Sequence, residues 1–181
     1  PGNNTPFFID ESVSSSGSVT LQSDGVADPG APPCDDDMTV DFDAAVVSSG
    51  SSVTMESEDD ILVNGSVGAG TIVTLNAGRD WNRGNADLDN CGIVVFAGGP
   101  APGAVFGIDV VLTSPNDLVL GVVIAVNSVT LFAGTDGTGG VTDINGAATN
   151  IFARSLSVTA RDGIDTDVEI ERLTLATLLD D

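Results

Sequence analysis

Val73-Thr74-Leu75-Asn76-Ala77-Gly78-Arg79-Asp80 and Val129-Thr130-Leu131-Phe132-Ala133-Gly134-Thr135-Asp136 share one pattern. A short alternating apolar/Thr phrase leads into Ala-Gly, and an Asp follows one residue later. The phrase returns at Ser18-Val19-Thr20-Leu21, Ser52-Val53-Thr54-Met55 and Ser157-Val158-Thr159-Ala160. Looser copies stand at Thr39-Val40, Ile93-Val94-Val95 and Leu173-Thr174-Leu175. In each copy Val and Leu share one face and Thr takes the other, the period-two alternation of a strand. Gly, Asn, Asp or Ser follows, residues that turn the chain. Self-similarity at a spacing of about 15 to 20 residues marks a stacked-repeat architecture. The expectation is an all-β chain folded as a parallel β-helix, or β-solenoid, with loop excursions. Val19, Leu21, Val53, Met55, Val73, Leu75, Val129 and Leu131 are its expected core. A β-sandwich is the alternative, because alternating strands and turns produce similar spacings there. The like-for-like return of Val-Thr-Leu favours the solenoid, in which every coil reuses the same positions.

No window carries a helical apolar face; Val168 to Leu179 comes nearest, and its first half alternates like a strand. Val26 to Asp37, with Pro29, Pro32 and Pro33, breaks the rhythm, as does Ala97 to Gly107. Proline cannot donate to a ladder, so both read as loops leaving the stack. Asp136 to Gly146, rich in Gly and Thr, reads as a third. None has the length of an interdomain linker, so 1–181 is expected to form one domain.

The 181 residues carry 27 Asp and Glu against five basic residues, all Arg, for a net charge of -22. Hydrophobic residues make up 41%, enough for a core despite the charge. His, Lys and Tyr are absent. Ser-His-Asp and Cys-His catalysis, His-ligated metals, Schiff bases and Walker-type phosphate loops are thereby excluded. The charge also opposes nucleic acid, whose binding requires cations against phosphates. No apolar run is long enough for a transmembrane helix. The opening Pro-Gly-Asn-Asn, without Met or a signal-like segment, reads as the start of a mature or excised segment. Abundant carboxylates without Lys suit a salty medium, in which their repulsion is screened.

Cys34 and Cys91 both lie in polar, turn-rich stretches, and in an oxidising compartment a single disulfide between them is the economical expectation. Asn3 and Asn64 match the glycosylation pattern weakly. Asp162, Asp165, Asp167 and Glu169 are candidate calcium ligands. A strand over this stretch places Asp165, Asp167, Glu169 and Glu171 on one face and Ile164, Thr166, Val168 and Ile170 on the other. Calcium accepts such oxygen donors, although the spacing is neither an EF-hand nor a calcium β-roll, and a solvated face is the plain alternative. Asp35-Asp36-Asp37 with Asp41 and Asp43 forms a second acidic cluster, with Val40 and Phe42 expected inward. Gly65-Ser66-Val67-Gly68-Ala69-Gly70 looks like a nucleotide loop but precedes a strand pattern, so it offers no helix N-terminus to a phosphate. Arg79, Trp81 and Arg83 are candidate partner contacts, since Trp and Arg are enriched in binding hot spots. A core Trp81 with its arginines paired to aspartates is the alternative.

Ser52-Val53-Thr54-Met55, Asp60-Ile61-Leu62-Val63-Asn64-Gly65-Ser66-Val67 and Val73-Thr74-Leu75-Asn76-Ala77-Gly78-Arg79-Asp80 resemble the repeats of filamentous-haemagglutinin-like and autotransporter-type adhesins. Val158-Thr159-Ala160-Arg161-Asp162-Gly163-Ile164-Asp165 is similar to them as well. The resemblance covers about half the chain and lacks the family's Asn-Pro-Asn-Gly secretion motif. It implies a right-handed β-helix, export to the cell surface, and a role in adhesion or matrix building. The expected function is therefore structural, extracellular and non-enzymatic. Partners would be adjoining repeats, other copies of the chain, or cell-surface glycans. A polysaccharide lyase or hydrolase and a carbohydrate-binding module are the alternatives. Neither end reads as a polar cap: Pro6-Phe7-Phe8-Ile9 is apolar, and so is Leu173 to Leu179. Both ends are thus expected to meet other protein, as in a head-to-tail filament, unless Phe7 and Phe8 fold back over the first coil.

Overall fold

The computed structural model describes residues 7–23, 37–78, 94–95, 103–135 and 137–177. Strands follow the recurring phrase in groups. The first pass holds β1 (Phe7–Ile9), β2 (Val13–Ser15) and β3 (Val19–Ser23). The second holds β4 (Met38–Val40), β5 (Ala45–Ser48) and β6 (Val53–Ser57), and the third β7 (Ile61–Val63), β8 (Ser66–Ala69) and β9 (Ile72–Asn76). Then come β10 (Val94–Val95) with β11 (Ala104–Thr113), β12 (Leu118–Leu120) with β13 (Val122–Phe132), and β14 (Val141–Asp143) with β15 (Ile151–Ala160). The last pass is a bridge from Ile164 to Val141 and the long strand β16 (Val168–Thr177), which takes the place of the helix considered for this stretch.

Every ladder among these strands is parallel. One sheet has six strands in the order β1-β4-β7-β10-β12-β14, and the other has ten. The all-β expectation holds, and the antiparallel ladders of an immunoglobulin-type sandwich do not occur among the described residues. No described helix is long and apolar enough to cross a membrane.

Register converts the recurring phrase into columns. In the ten-stranded sheet Val19, Val53, Val73, Val110, Val129, Leu156 and Leu173 stack in turn. Beside them run Leu21, Met55, Leu75, Leu112, Leu131, Val158 and Leu175. Thr20, Thr54, Thr74, Val111, Thr130, Ser157 and Thr174 form the outward column between the two. Across a corner, Val13, Val46, Val67, Val105, Val123, Ile151 and Val168 make another inward stack. Met38, Ile61, Leu118 and Val141 of the six-stranded sheet enter the same hydrophobic cluster. Of the expected core, Val19, Val53, Met55, Val73, Leu75, Val129 and Leu131 are buried. Leu21, in the first pass, is only partly covered.

Several readings of the repeat need correction. Ser157-Val158-Thr159-Ala160 is displaced by two residues: Leu156, Ser157 and Val158 pair with Val129, Thr130 and Leu131. A two-residue slip preserves the strand face, so sequence pattern alone cannot detect it. Val110-Val111-Leu112 is a full member that the missing Thr concealed. Thr39-Val40 and Val94-Val95 belong to the other sheet. The excursions were drawn too long: Ala104 to Gly107 lies in β11, and Val141 to Asp143 is β14. Phe42 points outward, because the Ala44 N–H donates to the Asp41 carbonyl at 3.0 Å and the tight turn expels the ring.

The Val column advances by 20 residues from Val53 to Val73, 19 from Val110 to Val129 and 17 from Leu156 to Leu173. Its three longer intervals, Val19 to Val53, Val73 to Val110 and Val129 to Leu156, contain the three interruptions read from the sequence. Insertions thus enter at corners and leave the register of the strands intact.

Gly68 shows how closely neighbouring passes are fitted. Its register partner is Phe106, whose ring lies where a Cβ on Gly68 would stand. The sheet trades a side chain in one pass for an aromatic cover from the next.

One substitution tests the stacking. Leu75→Ala removes a side chain enclosed between two passes and should cost about 2–5 kcal/mol. Leu21→Ala, in the same column but with a neighbour on one side only, should cost clearly less. Equal shifts in the denaturant midpoint for the two variants would contradict the register.

Candidate functional site

The acidic carboxy-terminal run is arranged largely as its alternation implies. Asp165, Asp167, Glu169 and Glu171 are exposed, whereas Ile164 and Ile170 pack against the core. Asp162 is committed elsewhere: its Oδ2 accepts the Gly139 N–H at 2.7 Å and so ties two passes together. Among the described residues no three acidic or Cys side chains gather closely enough to hold a metal ion. Side chains on one strand face stand about 7 Å apart, too far to share one cation without a second element folding over them.

The other sequence candidates are placed unevenly. Cys34, Cys91, Arg79, Trp81, Arg83 and Asn3 lie outside the described residues. Asn64 occupies the corner between β7 and β8, half-buried, its N–H donating to the Val40 carbonyl at 2.9 Å. Asp41 and Asp43 are exposed, as the alternation predicts. Gly65 to Gly70 is a corner and a strand, with β9 after it rather than a helix.

The stack also contains polar ties that the sequence reading missed. Asn150 is fully buried, and its Nδ2 lies 2.9–3.0 Å from the Leu120 and Gly121 carbonyls, Asp143 Oδ1 and Asn145 Oδ1. Its Oδ1 accepts the Asp167 N–H at 3.1 Å. A single amide therefore links three successive passes. Gln22, Glu56 and Asn76 occupy one column, where Glu56 accepts from Gln22 at 2.9 Å and from Asn76 at 3.4 Å. The signal available beforehand was a polar residue recurring directly after the Val-Thr-Leu/Met phrase.

On the outward face Phe106, Ile124 and Phe152 stack across β11, β13 and β15. Ile124, Val126, Phe152 and Ile170, with Arg154, Glu169 and Glu171 at the rim, line a shallow groove of about 440 Å³. Arg154 and Glu171 approach to 3.7 Å there, both largely in solvent, so the pair adds little stability.

The two ends of the stack differ. In the first pass Ile9 and Val19 keep only 5% and 7% exposure, although each belongs to a strand paired on one side only among the described residues. Phe7 and Phe8 do not fold back over this end. They sit in β1, largely exposed. In the last pass Val168, Leu173 and Leu175 are 37%, 48% and 52% exposed, whereas their counterparts in the first pass are the partly buried Val13, the buried Val19 and the partly buried Leu21. Among the described residues the inward stacks therefore show more apolar surface in the last pass than in the first.

No protein-family model, curated protein or solved structure matches the chain.

Two outcomes follow from this arrangement. Asn150→Leu strands several buried acceptors and should cost about 1–3 kcal/mol or more, well beyond the cost of Asn145→Ala at the half-buried neighbour. Thermal unfolding should also rise with ionic strength, because separated like charges are screened. Calcium compared with sodium at equal ionic strength should add little. A calcium-specific rise of several degrees, abolished by chelator, would instead reveal a site formed by these carboxylates.

Proposed function

We propose that this chain is a β-solenoid, a right-handed parallel β-helix, that serves as an extracellular structural or adhesive element of a cell surface or matrix. The observation that carries the reading is the unbroken in-register stacking of equivalent residues from Val19 to Leu173, with insertions confined to corners. Handedness follows the strong preference of parallel strands for right-handed crossovers. At about 4.8 Å per pass, seven passes make a short stack roughly 30 Å long. Most of its ordering is spent on repeating ladders, and its outward columns are free to vary. This suits a spacer or a display surface.

The setting agrees with that role. A net charge of -22 without Lys keeps a rod dispersed in a salty medium and discourages contact with polyanions. The outward Phe106, Ile124 and Phe152 column offers apolar contact on an otherwise acidic molecule, a suitable ground for adhesion.

Fractionation of the source cells decides the setting. Antibody against the chain should label intact cells or their surrounding matrix, and the protein should be lost on surface proteolysis. Recovery only from the protease-protected soluble interior would overturn the extracellular reading. An experimental structure of the purified chain tests the fold, and mainly antiparallel ladders would count against the solenoid.

A further inference from the structure

Two asparagines in the chain stand directly before glycine, in Asn64-Gly65 and Asn145-Gly146. Such a pair can react with itself, because the glycine amide nitrogen is next to the asparagine Cγ and no side chain on the glycine blocks its approach. The fold treats the two pairs differently.

Asn64-Gly65 is closed in by the neighbouring pass. Both of its N–H groups donate to the Val40 carbonyl, at 2.9 and 3.2 Å. A Cβ on Gly65 would lie 2.2 Å from the Ala44 carbonyl oxygen and 2.3 Å from that of Asp41, so backbone presses on the glycine from two sides. Asn64 Oδ1 is buried as well. Forming a ring there requires the corner to open first.

Asn145-Gly146 lies in the corner between β14 and β15. Gly146 is exposed there with a φ of 65°, and an added Cβ would meet nothing within 4 Å. Among the described residues no group accepts from the Gly146 N–H. Asn150 Nδ2 stands 2.9 Å from Asn145 Oδ1, the oxygen that gains negative charge when Cγ is attacked. Asn145 Nδ2, the nitrogen that would leave, donates to the Gly121 carbonyl at 3.2 Å.

We infer that Asn145 is a self-modification site, at which the folded chain converts this asparagine to aspartate and isoaspartate while sparing Asn64. Hydroxide takes the proton from the Gly146 nitrogen, which attacks Asn145 Cγ. The Cγ–Nδ2 bond breaks, and the nitrogen gains a proton from solvent and departs as ammonia, leaving a succinimide ring. Water then opens the ring. Attack at Cγ restores the ordinary main chain with aspartate at this position, whereas attack at the Asn145 carbonyl carbon reroutes the main chain through the side chain. One water is consumed and one ammonia released, with no change of oxidation state.

Either product puts a negative charge where an amide donated to Gly121. Asp143 is beside it, its Oδ1 2.9 Å from the same Asn150 amide. The isoaspartate also lengthens the main chain of the corner by one methylene. The converted chain thus loses part of the polar hub that ties three passes together, and it unfolds more easily. The site does not depend on where the protein works.

The test incubates the purified 181-residue chain, folded, at mildly alkaline pH beside a sample kept in denaturant. Cleavage after arginine separates the two sites, since Asn64 lies before Arg79 and Asn145 lies between Arg83 and Arg154. Mass spectrometry follows the exchange of the amide for a carboxyl in each peptide, and fragmentation locates it. In the folded chain Asn145 should convert about tenfold or more faster than Asn64, because Asn64 reacts only through local opening. In denaturant the two rates should draw together. The unfolding midpoint of the folded sample should fall as Asn145 converts. Equal rates at the two sites in the folded chain would overturn the inference. The same difference persisting in denaturant would do so too, by placing its cause in the sequence rather than the fold. An Asn145 no faster than Asn127, which precedes Ser128, would count against it equally, as would a midpoint unmoved by full conversion.

Discussion

Parallel strands in register hold neighbouring passes about 4.8 Å apart, and this spacing forces each residue to lie directly on its equivalent in the next pass. A side chain therefore meets not an arbitrary neighbour but the occupant of its own position. Val on Val and Leu on Leu build the buried interior. A glycine in one pass is acceptable when the next supplies a covering ring, as Phe106 does for Gly68. Polar residues obey the same rule: Gln22, Glu56 and Asn76 satisfy one another because the ladder superimposes them.

In a solenoid of the kind proposed, each pass answers only to the passes beside it. Length can change freely and insertions can leave at corners, whereas the ends carry a special burden. An end pass has half its contacts missing and an unpaired backbone edge. Among the described residues Val19 in the first pass is buried and Val13 and Leu21 partly so, whereas Val168, Leu173 and Leu175 in the last pass are exposed.

Charge and stacking act at different ranges. The carboxylates spread over the surface repel one another weakly through water and salt, and keep molecules apart. The stacking contacts act only at van der Waals distance and dominate wherever two passes fit. The combination tolerates a net charge of -22 without loss of the core, because most of the described acids, Glu56 and Asp59 apart, are at least partly exposed.

Much of this could be read from the chain before folding. The Val-Thr-Leu recurrence determined the strands, the inward columns and the three interruptions, because like-on-like stacking must write the same residues repeatedly into the sequence. Exposure of Asp165, Asp167 and Glu169 followed from simple alternation. Which copy stands over which did not, because a shift of two residues leaves every side chain on its original face. Leu156 rather than Val158 therefore took the place above Val129. Val110-Val111-Leu112 and the buried Asn150 were equally hidden, one for lack of the marker Thr and the other because its partners come from three separate passes. The difference in burial between the first and last passes belongs to tertiary structure alone. It depends on which residues find a neighbouring pass, and a linear pattern does not contain that information.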